Sequence, residues 1–280
     1  MRAAERGSAA RSVSSPAQTM RIGLGIEYDG SRHAGWQSQP GGRGIQDAVE
    51  TALGAIAGAR VRTIAAGRTD AGVHATMQVA HFDCAAERPD SAWVRGVNAH
   101  LPHDVAVLWA RRVDPRFHAR HAALERRYTY ALCCRAVRPA LLSGRVGWYH
   151  RPLDVDAMVR AARVLVGTHD FSAFRAAQCQ ARTATRTLDK LAVASAGHLV
   201  RFDFAADAFL HHMIRNIVGA LVYVGSGRKP SEWIAELLAG RDRTRSAPTF
   251  GPDGLYFTGA RYDSGWSLPV TLRPVALPEA

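Results

Sequence analysis

No apolar run in this 280-residue sequence is long enough to cross a membrane. A transmembrane helix needs about 20 consecutive, mostly apolar residues. Residues 1–19 are rich in Arg, Ala and Ser and lack the apolar segment of a secretory signal peptide. We therefore expect a cytoplasmic protein with no membrane partner and a disordered tail over residues 1–19.

Cysteine is scarce, and its spacing fits neither a disulfide framework nor a zinc site. No C-x-x-C pair occurs among the four cysteines, which are Cys84, Cys133, Cys134 and Cys179. His211 and His212 are neighbours in a predicted helix, so their side chains should point to different faces and not share one metal ion. We expect free thiols in a reducing compartment and no metal site.

Nucleotide-binding and serine-nucleophile signatures are also missing. Gly67 and Gly72 have the spacing of a P-loop, but Val73-His74 stands where that motif requires Lys-Ser/Thr. Gly23-Leu24-Gly25 lacks the third glycine of a dinucleotide-binding fingerprint. No G-x-S-x-G elbow is present. We expect no cofactor.

Lysine is nearly absent, yet the sequence is strongly basic. Only two of the 36 basic residues are lysines, and the net charge is +12 with a pI near 10.4. The planar guanidinium group of arginine suits phosphate groups and base edges, so this composition favours a nucleic-acid partner. The alternative from charge alone is a solvated basic surface that reflects an arginine-rich composition.

The apolar pattern gives the element order β-α-β-β-α-β twice. The first half is predicted to contain strands over 21–28, 61–65, 77–82 and 105–112, and helices over 45–56 and 91–98. The second half is predicted to contain strands over 126–132, 185–194, 198–205 and 255–261, a helix that starts at Asp154, and helices over 209–224 and 231–239. This order is typical of an α+β fold of two ferredoxin-like (RRM-like) modules with mostly antiparallel sheets. We expect domains over 20–120 and 121–265, a tail over 266–280, and free sheet faces that form a broad basic surface.

Three segments contain candidate functional residues. The glycine-bracketed loop 67–75 presents Arg68 and Asp70, either as a turn with a local ion pair or as a catalytic carboxylate on a rigid mount. Arg215 lies in an otherwise apolar predicted helix, so it either pairs with a carboxylate, for which Asp70 is a candidate, or reaches solvent. Tyr128 and Tyr130 share one face of a predicted strand, where they either stack on bases or fill the core.

These segments, taken together and in order, resemble the tRNA pseudouridine synthases of the TruA type. The resemblance runs from about residue 21 to residue 263. The motifs that carry it are 28–30, 35–37, 67–75, 95–98, 117–120, 126–130, 170–174, 178–179, 211–219 and 254–256. Residues 1–19 have no counterpart in the family pattern, and residues 121–125 match it loosely.

The resemblance implies a reaction that isomerises uridine to pseudouridine at positions 38, 39 and 40 of the tRNA anticodon stem-loop. It implies that Asp70 is the nucleophile, that Arg68 fills the space left by the flipped base, and that Arg215 pairs with Asp70. Tyr128 would pack on the target base and assist removal of the C5 proton, and Leu255 would form part of the apolar pocket wall. Attack at C1′, addition at C6 and a glycal route all stay open. The resemblance also implies a homodimer that binds tRNA.

Two other classes of protein compete with this interpretation. A non-catalytic RNA-binding protein could use the same scaffold, but it has no need of a carboxylate such as Asp70 facing phosphate groups. A metal-dependent nuclease is disfavoured because the sequence shows no acidic cluster.

Overall fold

The computed structural model describes residues 19–276 and contains ten strands there. They are β1 (Met20–Tyr28), β2 (Ile64–Ala65), β3 (His74–Cys84), β4 (Val105–Val113), β5 (Glu125–Cys134), β6 (Gly147–Tyr149), β7 (Gly167–Asp170), β8 (Thr185–Ala196), β9 (Leu199–Ala206) and β10 (Leu255–Arg261). The α-helices of this part are α1 (Ile45–Ala57), α2 (Val97–His100), α3 (Val155–Ala162), α4 (Met213–Gly225) and α5 (Trp233–Gly240).

All ten strands join in one sheet. The strand order is β4-β1-β3-β10-β5-β9-β8-β7, with β2 beside β3 and β6 beside β5. The pairs β3–β10 and β5–β6 are parallel, and the other pairs are antiparallel. The expected α+β class and the mostly antiparallel sheet are confirmed. The last strand of the sequence, β10, lies in the middle of the sheet and joins its two halves.

The helices form because their apolar residues recur on one face. In α1, Ile45, Val49 and Leu53 are fully buried, and the helix ends where Gly58 takes a left-handed conformation at φ 68°. The predicted cap of α3 is confirmed, because the Asp154 carboxylate accepts the backbone N–H of Ala157 at 2.8 Å. Both helices belong to one core that continues through both halves of the sheet.

The helix predicted over 209–224 starts four residues late, at Met213. His212 has a left-handed backbone, with φ 60° and ψ 5°, and this conformation cannot continue a right-handed helix. The placement of His211 and His212 within a helix is therefore wrong, and both residues lie in the segment that leads into α4.

Other boundaries also differ from the predicted ones. The strand predicted over 61–65 is reduced to Ile64–Ala65, and the short strands β6 and β7 have no counterpart in the prediction. The hairpin between β8 and β9 turns at 197–198, where Gly197 has φ 53°. The strand predicted over 255–261 is confirmed with the same bounds.

The segment 267–276 packs against the sheet, although residues 266–280 were expected to form a tail. Leu272 forms a bridge with Gly259 of β10, and Trp109 of β4 donates its indole N–H to the carbonyl of Val270 at 2.7 Å. The Arg273 guanidinium pairs with Glu27 of β1. This segment covers part of a sheet face that was expected to be free. The predicted tail over 1–19 lies outside the described residues except for residue 19.

Between residues 19 and 276, no helix has the length and apolar character needed to span a membrane.

Candidate active site

A cleft of about 1170 Å³ opens beside the junction of the two halves of the sheet. Its walls come from the loop between β2 and β3, from β5 and the start of β10, and from the segments 178–181 and 208–215. All five candidate residues from the sequence line it: Arg68, Asp70, Tyr128, Arg215 and Leu255.

The loop between β2 and β3 is held by its own backbone and by buried polar side chains. The carbonyl of Thr69 accepts the backbone N–H of Trp36 at 3.0 Å, and the Thr69 hydroxyl hydrogen-bonds to the Tyr28 hydroxyl at 2.8 Å. Gln78 donates to the carbonyl of Gly67 at 2.7 Å. A Cβ atom on Gly35 would lie 2.6 Å from the Thr69 carbonyl oxygen, so only glycine permits this approach. These contacts therefore fix the backbone of the loop up to Asp70.

Asp70 and Arg215 form an ion pair. The Arg215 Nη1 donates to Asp70 Oδ2 at 3.2 Å, and its Nε donates to the carbonyl of Phe250 at 2.8 Å. The side chains are 14% exposed for Arg215 and 25% for Asp70. Of the two alternatives for Arg215, the carboxylate partner is the one present. The second hydrogen bond, to Phe250, fixes the orientation of the guanidinium group.

His211 and His212 also face Asp70, which sequence reasoning missed. The Nε2 atom of His211 lies 3.4 Å from Asp70 Oδ1, and that of His212 lies 3.4 Å from Asp70 Oδ2. The two imidazole rings lie 3.9 Å apart between centroids. The expectation that the two histidines cannot meet at one site is wrong, because the left-handed backbone of His212 turns both rings to the same side. No sequence signal marks that conformation.

The three side chains are close enough to hold a metal ion, since their ligand atoms lie within 4.8 Å of one another. The Arg215 guanidinium, however, occupies the same carboxylate oxygen that His212 approaches. A second positive charge at that oxygen opposes a bound cation. The geometry therefore favours a carboxylate surrounded by nitrogen groups over a metal centre.

Another part of the cleft wall is apolar. Tyr128 packs edge-on against Phe209, with ring centroids 5.1 Å apart, and against Phe257 at 5.0 Å. Leu255 is 5% exposed. Burial raises the pKa of the Tyr128 phenol well above its usual range. This wall can hold a flat, uncharged ring against an aromatic side chain.

Arginine side chains line the rest of the cleft. Arg68 is exposed, and Arg120 lies beside it. Burial, together with the neighbouring charges of Arg68 and Arg126, lowers the pKa of the Arg120 guanidinium. Arg126 is engaged with the protein itself, since it donates to the carbonyl of Asp207 at 2.7 Å. Arg120 was missed as a site residue, although it ends the motif 117–120. Arg68 and Arg120 suit a ligand that carries phosphate groups.

The chain is similar to several known proteins. A family model described as tRNA pseudouridine synthase matches residues 25–121 and 161–263. The tRNA pseudouridine synthase A of Methylobacillus flagellatus is 56% identical over 258 residues, which cover 92% of this chain and 99% of the relative. The protein of the same name from Chromobacterium violaceum is 60% identical over 251 residues, or 89% of this chain and 96% of the relative. A chain in the crystal structure of a Cbf5-Nop10-Gar1 complex matches with a TM-score of 0.36 and 12% identity, over 84% of this chain and 48% of that chain.

The buried hydrogen bond between Tyr28 and Thr69 offers a test of how the loop that carries Asp70 is held in place. Thr69→Val should lower the free energy of unfolding by about 1–2 kcal/mol, because it leaves the buried Tyr28 hydroxyl with only the long 3.5 Å hydrogen bond from the Gln78 amide. Burial already raises the pKa of Tyr28 to about 12, so the hydroxyl is a neutral group that needs this partner. Urea unfolding measures the change. Tyr28→Phe combined with Thr69→Val should cost less than the sum of the single changes, and additive losses would show that the two hydroxyls do not interact.

Proposed function

The chain belongs to the tRNA pseudouridine synthase family, and we propose that its reaction, the isomerisation of uridine to pseudouridine in tRNA, takes place in the Asp70 cleft at uridines 38, 39 and 40 of the anticodon stem-loop. The main support for this assignment is the Asp70–Arg215 ion pair in a cleft that is also lined by the apolar side chains around Tyr128. The reaction breaks the bond between C1′ and N1, turns the base and joins C1′ to C5. The reaction involves no net oxidation or reduction, so its stoichiometry requires neither a redox cofactor nor a metal ion.

Asp70 is the proposed nucleophile. It is the one carboxylate among the described residues that line the cleft. A carboxylate can attack an electron-poor carbon and leave again, as in the retaining glycosidases. Arg215 orients this carboxylate, because its guanidinium is itself fixed by the Phe250 carbonyl. The arrangement is compatible with attack at C1′, addition at C6, or a glycal route.

The remaining candidates suit a flipped nucleotide. A stacked uridine hides its reacting atoms, so the base must leave the helix to react. Tyr128 and Leu255 would hold the base on the apolar wall, and the exposed Arg68 would occupy the vacated space and contact the backbone. With a net charge of +12, the protein as a whole attracts the phosphate groups of tRNA.

The sheet order supports the proposal of two ferredoxin-like modules, over residues 20–120 and 121–265. In the first module the last strand, β4, lies beside the first strand, β1, followed by β3 and β2. In the second module β10 lies beside β5, followed by β9 and β8. The short strands β6 and β7 are additions to this pattern. The two modules would then meet edge to edge at β3 and β10, next to the cleft. We place the protein in the cytoplasm, because tRNA is found there and cysteine thiols stay reduced there.

A homodimer is the proposed assembly. Exposed apolar side chains cluster in sequence between β5 and the end of β6, where Val137 is 74% exposed and Leu141 is 97% exposed. Exposed apolar surface of this kind is commonly covered by a partner. Sedimentation equilibrium should give twice the mass of the 30.3 kDa chain. A fully active monomer would contradict this proposal.

Asp70→Ala should abolish turnover and leave tRNA binding intact, because it removes the nucleophile but none of the arginines that meet phosphate groups. Release of tritium from C5 of labelled uridine in unmodified tRNA measures turnover, since the C5–H bond must break. Retained release by Asp70→Ala would refute the nucleophile assignment. If the wild type bound tRNA tightly but released no tritium, the protein would be a non-catalytic RNA-binding protein instead. Activity on tRNA that depends on a metal ion would support the nuclease alternative.

Arg215→Leu should lower the turnover rate by about 100-fold, because Asp70 loses the group that orients it. The dissociation constant for tRNA should change far less, since the Arg215 side chain is only 14% exposed. Arg163→Leu removes one positive charge from an exposed site that does not line the cleft and serves as the matched control. Equal losses of binding and turnover in Arg215→Leu would indicate that Arg215 binds RNA directly.

A further inference from the structure

The isomerisation needs a proton acceptor that the cleft must supply. When C5 joins C1′, C5 still carries its hydrogen, and this proton must leave before the product is complete. Asp70 leaves C1′ when C5 joins this carbon, but a free carboxylate is a much weaker base than an imidazole group. Arginine side chains stay protonated at neutral pH. The buried phenol of Tyr128 has a raised pKa, so it is a poor proton acceptor under the same conditions.

Two imidazole groups and one thiol remain on the cleft walls as candidate acceptors. The Sγ atom of Cys179 lies 3.5 Å from the backbone nitrogen of His211, whose N–H it accepts, and the thiol does not belong to the group of side chains around Asp70. The Nε2 atoms of His211 and His212 each lie 3.4 Å from a carboxylate oxygen of Asp70. A group at this distance from the nucleophile is also close to C1′ and therefore to the carbon that joins it.

His212 is the better placed of the two histidines. Its side chain is 26% exposed, against 39% for His211, and it approaches the same carboxylate oxygen that Arg215 binds. Its backbone is left-handed, which is costly for a residue with a side chain. The carbonyl of His212 nevertheless accepts the backbone N–H of Asn216 at 2.9 Å, so the first turn of α4 fixes the conformation. The imidazole is therefore held over Asp70 by the fold.

The surroundings of His212 favour a neutral imidazole that can be protonated during the reaction. Four titratable or charged groups act on the His212 imidazole. They are Asp70 from the loop between β2 and β3, the neighbouring His211, Arg215 from α4, and Arg243 from the turn after α5. Burial is the largest effect and lowers the pKa of His212, and the arginines and His211 act in the same direction. Asp70 opposes them, so the carboxylate would stabilise the imidazolium once it forms.

We propose that Nε2 of His212 removes the proton from C5 of the rejoined base. The C5–H bond breaks, and its electron pair forms the C5=C6 double bond. The π electrons of C6=N1 move to N1, which takes one proton. This proton comes either from the imidazolium or from water, and in the second case the imidazolium gives its own proton to water. The inference rests on the proposed function, because it takes Asp70 as the nucleophile in this cleft.

His212→Asn tests the step, because asparagine tolerates the left-handed backbone better than most residues. The variant therefore removes the imidazole group without adding backbone strain. The substrate is tRNA that carries deuterium or hydrogen at C5 of its uridines. We expect turnover to fall by about 100-fold or more, the usual contribution of a general base. We also expect the rate to gain a primary deuterium isotope effect larger than that of the wild type, since C5 deprotonation becomes the slow step.

His212→Gly provides a second readout, because glycine fits the backbone and leaves space for a free imidazole molecule. Added imidazole should restore part of its turnover. His100→Asn replaces an exposed histidine of α2 and should behave as the wild type. Thermal unfolding and tRNA binding of each variant establish that the fold is kept.

Three results would overturn the proposal. The first is full turnover by His212→Asn. The second is slow turnover whose isotope effect equals that of the wild type and that imidazole does not rescue, which would give His212 a structural role only. The third is the same isotope effect arising in Cys179→Ser, which would make the thiol the acceptor. If the wild type itself released no C5 proton from tRNA, the proposed function would fail instead.

Discussion

The half-buried carboxylate of Asp70 is the constraint on which the site depends. A carboxylate withdrawn from water loses part of its hydration, and charges and hydrogen bonds from the protein must replace it. Its compensating charge comes from Arg215, which lies 145 residues further along the chain. The pairing of β3 with β10 brings the loop that carries Asp70 close to the start of α4. The site is therefore complete only where the two halves of the sheet are joined.

The electrostatics of the cleft divide into two parts with different tasks. Arg215 is nearly enclosed and donates to Asp70 and to a backbone carbonyl, so it orients the Asp70 carboxylate. Arg68 and Arg120 line the cleft and are available to a polyanion. Fixed charges in a partly dry cleft stabilise developing charge without having to reorganise during the reaction. In the proposed function, this layout places the Asp70 carboxylate beside the phosphate groups of RNA, with Arg68 and Arg120 available to bind those groups.

Local patterns predicted the elements and part of the site. The strand 255–261, the Asp154 cap and the inward face of α1 follow from alternation, capping and helical periodicity, which are properties of neighbouring residues. The cost of a lone arginine in an apolar helix made Asp70 a candidate partner of Arg215, with solvent as the alternative, and the resemblance to the family implied the pair itself. The position of β10 between the two halves, and the packing of residues 267–276 on the sheet, depend on distant contacts that no local pattern encodes. The left-handed backbone of His212 is set by the tertiary structure, so the two histidines beside Asp70 could not be placed from sequence.

The role of Asp70 is tested most directly by mapping pseudouridine, position by position, in unmodified tRNA after reaction with the wild type and with Asp70→Asn. This variant keeps the shape of the side chain and removes its charge. We expect pseudouridine at positions 38, 39 and 40 with the wild type and none with Asp70→Asn. Pseudouridine formed at the wild-type rate by Asp70→Asn, or formed by the wild type only outside the anticodon stem-loop, would contradict this expectation.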